Sequence, residues 1–147
     1  MGYREVNLNL GCPSGTVVSK GRGSGFLRDL DRLEAFLCDI CERSALPVSV
    51  KTRLGLEGDA EYERILDVCC RMPLAQPIVH PRIQHDRYQG SPRWEPYGRT
   101  LERAPFPVAY NGDVFCAAHG DHHNGGRHAS HRSYAFRFAT EVRYSAQ

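Results

Sequence analysis

What the sequence lacks narrows it first. No stretch approaches the roughly 18 consecutive apolar residues that a membrane-spanning helix needs. The opening Met-Gly-Tyr-Arg-Glu carries no apolar signal core. Gly2 does not make a myristoylation signal, because Val6 stands where Ser or Thr is required. Without an export or anchoring signal the expectation is no membrane partner and a cytoplasmic compartment, where six cysteines are free thiols rather than a disulfide framework. Charge of one sign is also missing. Nineteen Lys and Arg against 17 Asp and Glu leave +2, too little to argue for a polyanionic partner by charge alone. The Cys38-Asp-Ile-Cys41 pair has no second pair at zinc-like spacing and falls in a helical pattern, so a metal site is not expected there. Nor is there a hairpin signal anywhere between the apolar runs.

What is present is a chain of 147 residues with 41% apolar and 24% charged residues, the balance of one soluble globular domain. Val6 to Leu10 is β-branched and alternating, and reads as a strand. Gly11-Cys12-Pro13 turns it into a glycine- and cation-rich loop holding Lys20, Gly21, Arg22, Gly23 and Gly25. Strand, reactive group, then basic loop is how an α/β enzyme presents chemistry at the carboxyl end of a strand. Phe26 to Arg43 repeats apolar residues at Leu30, Leu33, Leu37 and Ile40, one helix face, with Asp31 and Glu34 as its capping pair. Leu46 to Thr52 is a second strand. Gly58-Asp59 opens a helix with Tyr62, Ile65, Leu66 and Cys69 on one face. Pro77 to His80 is a third strand. Ser91-Pro92 reads as an N-cap with proline at the first helical position, Trp94 as a core residue beyond it, and Pro96 as the reason that helix is bent or short. Pro105 to Tyr110 is a fourth strand, ending in Asn111-Gly112-Asp113.

The order βαβαβαβ calls for parallel strands joined by helical crossovers. The polar residues at the strand ends, Asn9, Lys51, His80 and Asn111, stand 42, 29 and 31 residues apart. About 30 residues is one βα unit, so each repeat returns the chain to the same rim. Four polar groups converging there indicate a ligand site. Four units are half of an eight-stranded barrel, which typically takes about 250 residues. The expected fold class is therefore α/β, a partial TIM (β/α)8 barrel over residues 1–114, with strands missing before Met1, after Asp113, or both.

From Val114 the character changes. His119, His122, His123, His128 and His131 crowd a stretch rich in glycine and arginine, and no period survives from Cys116 to Ser133. Tyr134 to Tyr144 alternates weakly, as a strand would. Residues 115–147 are expected to be an irregular tail foreign to the domain, from a wrong frame or a misjoined exon.

The pattern resembles the tRNA-dihydrouridine synthases, flavin enzymes on a TIM barrel. The resemblance rests on Asn7-Leu-Asn-Leu-Gly-Cys-Pro-Ser14, Val17-Val-Ser-Lys-Gly-Arg-Gly-Ser-Gly25, Val48-Ser-Val-Lys-Thr-Arg-Leu-Gly55, Val79-His-Pro-Arg82 and Val108-Ala-Tyr-Asn-Gly-Asp113, in the family's order and spacing. It implies FMN as cofactor, NADPH as reductant, tRNA as partner, and reduction of uridine to 5,6-dihydrouridine. It makes Cys12 the general acid, since a thiol with its ordinary pKa of about 8.5 is mostly protonated at neutral pH. It implies Asn9 bonding the flavin or the base, and Lys51 a cation at the flavin edge where charge collects on reduction. His80 would bond flavin or uracil, and Arg82 a phosphate or an acidic neighbour. Asn111, Gly112 and Asp113 would lie beside the flavin's phosphate arm. Lys20 and Arg22 would meet RNA phosphates, and Arg87, Tyr88, Arg93, Trp94 and Arg99 mix cations with aromatics as RNA-contacting surfaces do.

Two other functions fit the same residues. One is an FMN barrel that oxidises or reduces a free pyrimidine. The other is a non-catalytic half-barrel, its remaining strands absent or supplied by another chain.

Overall fold

The computed structural model describes residues 2–113. The tail expected at 115–147, its five histidines and the weak strand pattern at 134–144 lie outside the described residues. Within them the chain runs β1 (Val6–Leu10), a short helix α1 (Gly15–Val18), a 3-10 turn (Gly23–Arg28), α2 (Leu30–Arg43), β2 (Val48–Arg53), α3 (Ala60–Arg71), β3 (Gln76–His80), α4 (Trp94–Arg103) and β4 (Ala109–Tyr110). The four strands form one parallel sheet in the order β1-β2-β3-β4. Parallel strands alternating with helices are an α/β architecture consistent with a partial TIM barrel.

The two faces of the sheet differ in chemistry because strand side chains alternate. Leu10, Val48, Val50 and Val79 point to one face and join Leu33 and Leu37 of α2 with Tyr62, Ile65, Leu66 and Cys69 of α3 in a single core. Each such side chain, fully buried, contributes about 1.5–3 kcal/mol. Burial also pushes the Cys69 thiol up to about 12, the behaviour of a structural rather than a reactive cysteine. At the edge of this core the Tyr62 and Thr100 hydroxyls lie 2.8 Å apart, and Thr100 Oγ1 donates to the Pro96 carbonyl at 2.9 Å. The other face carries Asn7, Asn9, Ser49, Lys51, Arg53, Gln76 and His80, the register partners and alternates of one another. That polar face is what the fold presents.

Several boundaries differ from the sequence expectation. α2 starts at Leu30, four residues after Phe26, because Gly23–Arg28 takes the tighter 3-10 turn and Asp29 is extended. Its cap is Asp29, whose carboxylate accepts from Arg32 N at 3.0 Å. Asp31 and Glu34 are not the capping pair; Glu34 instead accepts from Arg71 Nε and Nη2, at 2.8 and 2.7 Å. β4 is two residues long, since Pro105 and Pro107 have no N–H for a ladder. Ser91 does not cap α4, because Arg93 N is drawn into a bond with the Pro81 carbonyl at 2.7 Å and helix begins only at Trp94. Pro96 sits in the first turn of that ten-residue helix, where no N–H is needed. Trp94 is not core: it is 40% exposed, stacked on Tyr110 at 5.2 Å between ring centres.

Candidate functional site

The register gathers the rim residues on the polar face. Asn9 of β1 stands directly beside Lys51 of β2, and Arg53 stands beside His80 of β3. Adjacent strands lie about 4.8 Å apart, so these are cross-strand neighbours. Asn111 follows Tyr110, the partner of Val79, and its N–H donates to the Val79 carbonyl at 2.9 Å, which carries the row to the fourth strand. The sheet thus brings together Asn9, Lys51, His80 and Asn111.

Cys12 lies just beyond β1 on a folded loop rather than an open one. Ser24, fully buried, donates to the Cys12 carbonyl from both its N–H and its hydroxyl, each at 3.0 Å. Gly23 fits against the same residue with φ +55°, and a Cβ there would fall 2.7 Å from the Cys12 carbonyl oxygen. Only glycine satisfies that position. Half-buried, Cys12 is within electrostatic reach of Lys51.

The Lys51 ammonium makes no hydrogen bond or ion pair among the described residues. Burial and then Arg53 hold it below the ordinary lysine range, with Cys12 acting in the opposite sense. Asn9 turns its carbonyl oxygen to the N–H of Gly11 at 3.1 Å, which leaves its amide nitrogen for a ligand. His80 is 4% exposed; burial, then Arg53, Lys51 and Arg82, bring its pKa down to about 4, against Asp113. At neutral pH the ring is uncharged.

Two buried arginines build the rest. Arg53 donates from Nε to the Gly11 carbonyl at 2.8 Å and from Nη1 to the carbonyls of Ile83 and Arg87 at 3.1 and 2.6 Å. Arg82 donates from Nε to the carbonyls of Gln89 and Gly90, from Nη2 to Gly90 and to Asp113 Oδ2 at 2.5 Å, and lies 3.1 Å from His80 Nε2. Of the two partners expected for Arg82, the acidic neighbour is the one it has. Asp113 is held below the usual carboxylate range by that pairing. The loop the arginines grip carries Tyr88, 71% exposed, with its ring 5.3 Å from the Arg53 guanidinium and 6.1 Å from the His80 ring. Gly112 packs so closely on the Tyr110 ring that a Cβ would overlap its hydroxyl.

Lys20 and Arg22 are not brought to this cluster. They line a separate groove of about 690 Å³ along the open edge of β1, with Phe36 and with Arg32 above Phe26; Asn9 reaches it, while Lys51 and His80 do not. Arg53 and Ser24 had no role assigned from sequence. Arg53 was legible in principle, since a strand residue two beyond the inward Lys51 points the same way. Ser24 had no signal. Among the described residues no cluster of three or more metal-ligating side chains forms, and no helix is long and apolar enough to cross a membrane.

The donor set answers the question of an FMN-like ligand. An amide N–H, an ammonium and a neutral imidazole converge on one face, all donors or cations, with no acidic side chain among them. A flat heterocycle whose edges are carbonyl oxygens and ring nitrogens, and which gains negative charge on reduction, fits that set.

A family model described as dihydrouridine synthase matches residues 1–128. The chain is 32% identical over 120 residues to a Synechocystis sp. protein named probable tRNA-dihydrouridine synthase 1, covering 78% of this chain and 32% of that one. It is 31% identical over 118 residues to tRNA-dihydrouridine(16) synthase of Shigella flexneri, covering 78% and 38%. With tRNA-dihydrouridine(20/20a) synthase of Xanthomonas campestris it shares 32% identity over 152 aligned positions, covering 90% and 45%. The chain therefore spans between a third and a half of the length of these relatives.

Proposed function

This chain belongs to the dihydrouridine synthase family, and from that premise we propose that it carries the central part of an FMN-dependent oxidoreductase that reduces uridine to 5,6-dihydrouridine in tRNA, with NADPH as the source of reducing equivalents. One observation carries the reading: the parallel register sets Asn9 beside Lys51 with its unpartnered ammonium, with Cys12 three residues beyond Asn9 on the loop that follows the same strand.

When bound, FMN supplies the hydride that saturates one carbon of the uracil double bond. The chain's own residues do the rest. Lys51, partly desolvated and without a carboxylate partner, keeps a fixed positive charge where an electron-rich ring edge is held. Asn9 donates from its amide nitrogen because Gly11 N already occupies its oxygen. His80 is a neutral hydrogen-bonding group at every pH near neutrality. Cys12 gives its thiol proton to the other carbon of the double bond, and Ser24 with Gly23 keeps its backbone from drifting. Asn111 and Gly112 border the same row, and Asp113 serves through Arg82. Lys20 and Arg22, exposed on the neighbouring groove, fit RNA phosphates. The sheet edges at β1 and β4 accept further strands, from a longer polypeptide or from another chain that completes the barrel.

The test is dihydrouridine formation in unmodified tRNA with FMN and NADPH, comparing the chain with its Cys12→Ala variant. The reading expects product that falls at least about a hundredfold in the variant. Equal product from both, or reduction of free uracil in place of tRNA, contradicts it.

A further inference from the structure

Building on the flavin reading of the polar face, we propose that His80 is held as the neutral imidazole with its proton on Nδ1, Arg82 being the positioning residue, so that it offers one N–H donor to a carbonyl oxygen or unprotonated ring nitrogen of the bound heterocycle and repels an N–H at the same point.

A guanidinium has five N–H donors and no acceptor. Arg82 Nη1 lies 3.1 Å from His80 Nε2, so Nε2 must be the lone-pair nitrogen, and the ring's single proton sits on Nδ1. The guanidinium cannot turn away to relax this. Its Nε is committed to the carbonyls of Gln89 and Gly90, and its Nη2 to Gly90 and Asp113. Arg82 and His80 are 1% and 4% exposed, so water does not compete for either end. Among the described residues no hydrogen bond reaches Nδ1. Nδ1 is not among the buried unpartnered atoms of the described residues, so it is the accessible part of the ring and can be reached by a ligand on the polar face.

Charging the ring would put an N–H against the Arg82 N–H. The groups around it argue the same way: Lys51 and Arg53 from β2, Arg82 from the segment after β3 and the Tyr88 ring beyond it, with Asp113 after β4 as the one opposing charge. The imidazole therefore stays in one protonation state and one tautomer over the range in which an ordinary histidine titrates. Neighbouring Asn9 and Lys51 offer donors as well, so the face selects a ring edge made of acceptors.

The experiment is a long-range proton–nitrogen correlation spectrum of the full 147-residue chain, uniformly nitrogen-15 labelled and free of flavin, from pH 8 to pH 5. The His80 signals are those lost in His80→Gln. The expected spectrum shows Nδ1 protonated and Nε2 bare, unchanged across that range. An Nε2–H tautomer, an average of both, or titration near 6.5 overturns the proposal, and the wild-type spectrum, once assigned, decides this without any Arg82 variant. Arg82→Leu should give a mixture of tautomers, the ring still held neutral by burial and by Arg53 and Lys51, and Arg82→Lys, which keeps a donor, should restore the Nδ1–H form. An unchanged tautomer in Arg82→Leu removes Arg82 from the role. Saturating FMN should shift the Nδ1 resonance; an unmoved resonance in the saturated chain overturns donation to the heterocycle. Because the tautomer is read without flavin, failure of FMN to bind refutes the flavin reading alone, whereas an Nε2–H ring in a chain that binds FMN refutes this proposal alone.

Discussion

Arg53 Nε donates to the carbonyl oxygen of Gly11 at 2.8 Å, so a side chain rooted in the second strand fixes the residue that precedes the Cys12 thiol. The same guanidinium reaches the carbonyls of Ile83 and Arg87, on the loop that carries Tyr88. Arg53 is 1% exposed. Its removal leaves three carbonyls without a donor, and hydrogen bonds to charged groups carry most of their value through such losses. Arg53→Leu should cost about 2–4 kcal/mol in urea unfolding. A change below about 0.5 kcal/mol, the range of ordinary surface substitutions, would mean the strut is idle.

A second expectation concerns the glycine beneath the thiol. Gly23 has φ +55° and no room for a Cβ beside Cys12, whereas Gly15 has nothing within 4 Å of that position. Gly23→Ala should destabilise by about 1–3 kcal/mol, while Gly15→Ala stays within about 0.5 kcal/mol. Alkylation of Cys12 should change rate in the first variant only. Equal behaviour of the two would deny that the loop is packed on the thiol.

A third concerns pH. His80 has a folded pKa of about 4, below the ordinary 6.5. Between those values the unfolded chain takes up a proton that the folded chain refuses. Stability is therefore full above about 6.5 and is lost as pH falls to about 4, by about 3 kcal/mol in all. Asp86 and Asp113 are held low and add a further loss below that window. Urea midpoints measured from pH 7.5 to 4.5 should fall for the wild-type chain and stay nearly flat for His80→Gln. Parallel curves would show that His80 titrates normally.

A fourth tests the start of α2. Asp29 accepts from Arg32 N, so Asp29→Ala should cost about 1 kcal/mol, and Asp31→Ala little. The reverse order would restore the cap expected from sequence.

That difference shows what the sequence held and where it stopped. Element type and the four rim positions follow from two periods, 3.6 for helices and 2 for strands, and those depend only on which residues are apolar. The convergence of Asn9, Lys51 and His80 was legible for that reason. Where two acidic residues compete for one cap, backbone angles decide, and Asp29 rather than Asp31 is extended. The start of α4 is set by a tertiary bond from Arg93 N to Pro81 that no local signal encodes. Trp94 has helical spacing, yet it stays 40% exposed, its ring stacked over the buried Tyr110 from outside. The pairing of Arg82 with His80 and Asp113 joins residues brought close by the fold, and composition could not choose between a phosphate and a carboxylate for it.

The most direct test of the polar face as a flavin site is titration of the chain with FMN, followed by quenching of flavin fluorescence, beside Lys51→Ala. Saturable binding weakened about tenfold or more by the loss of the cation is the expected result, a difference of about 1.4 kcal/mol. No saturation well above micromolar FMN, or equal affinity in the variant, would contradict it.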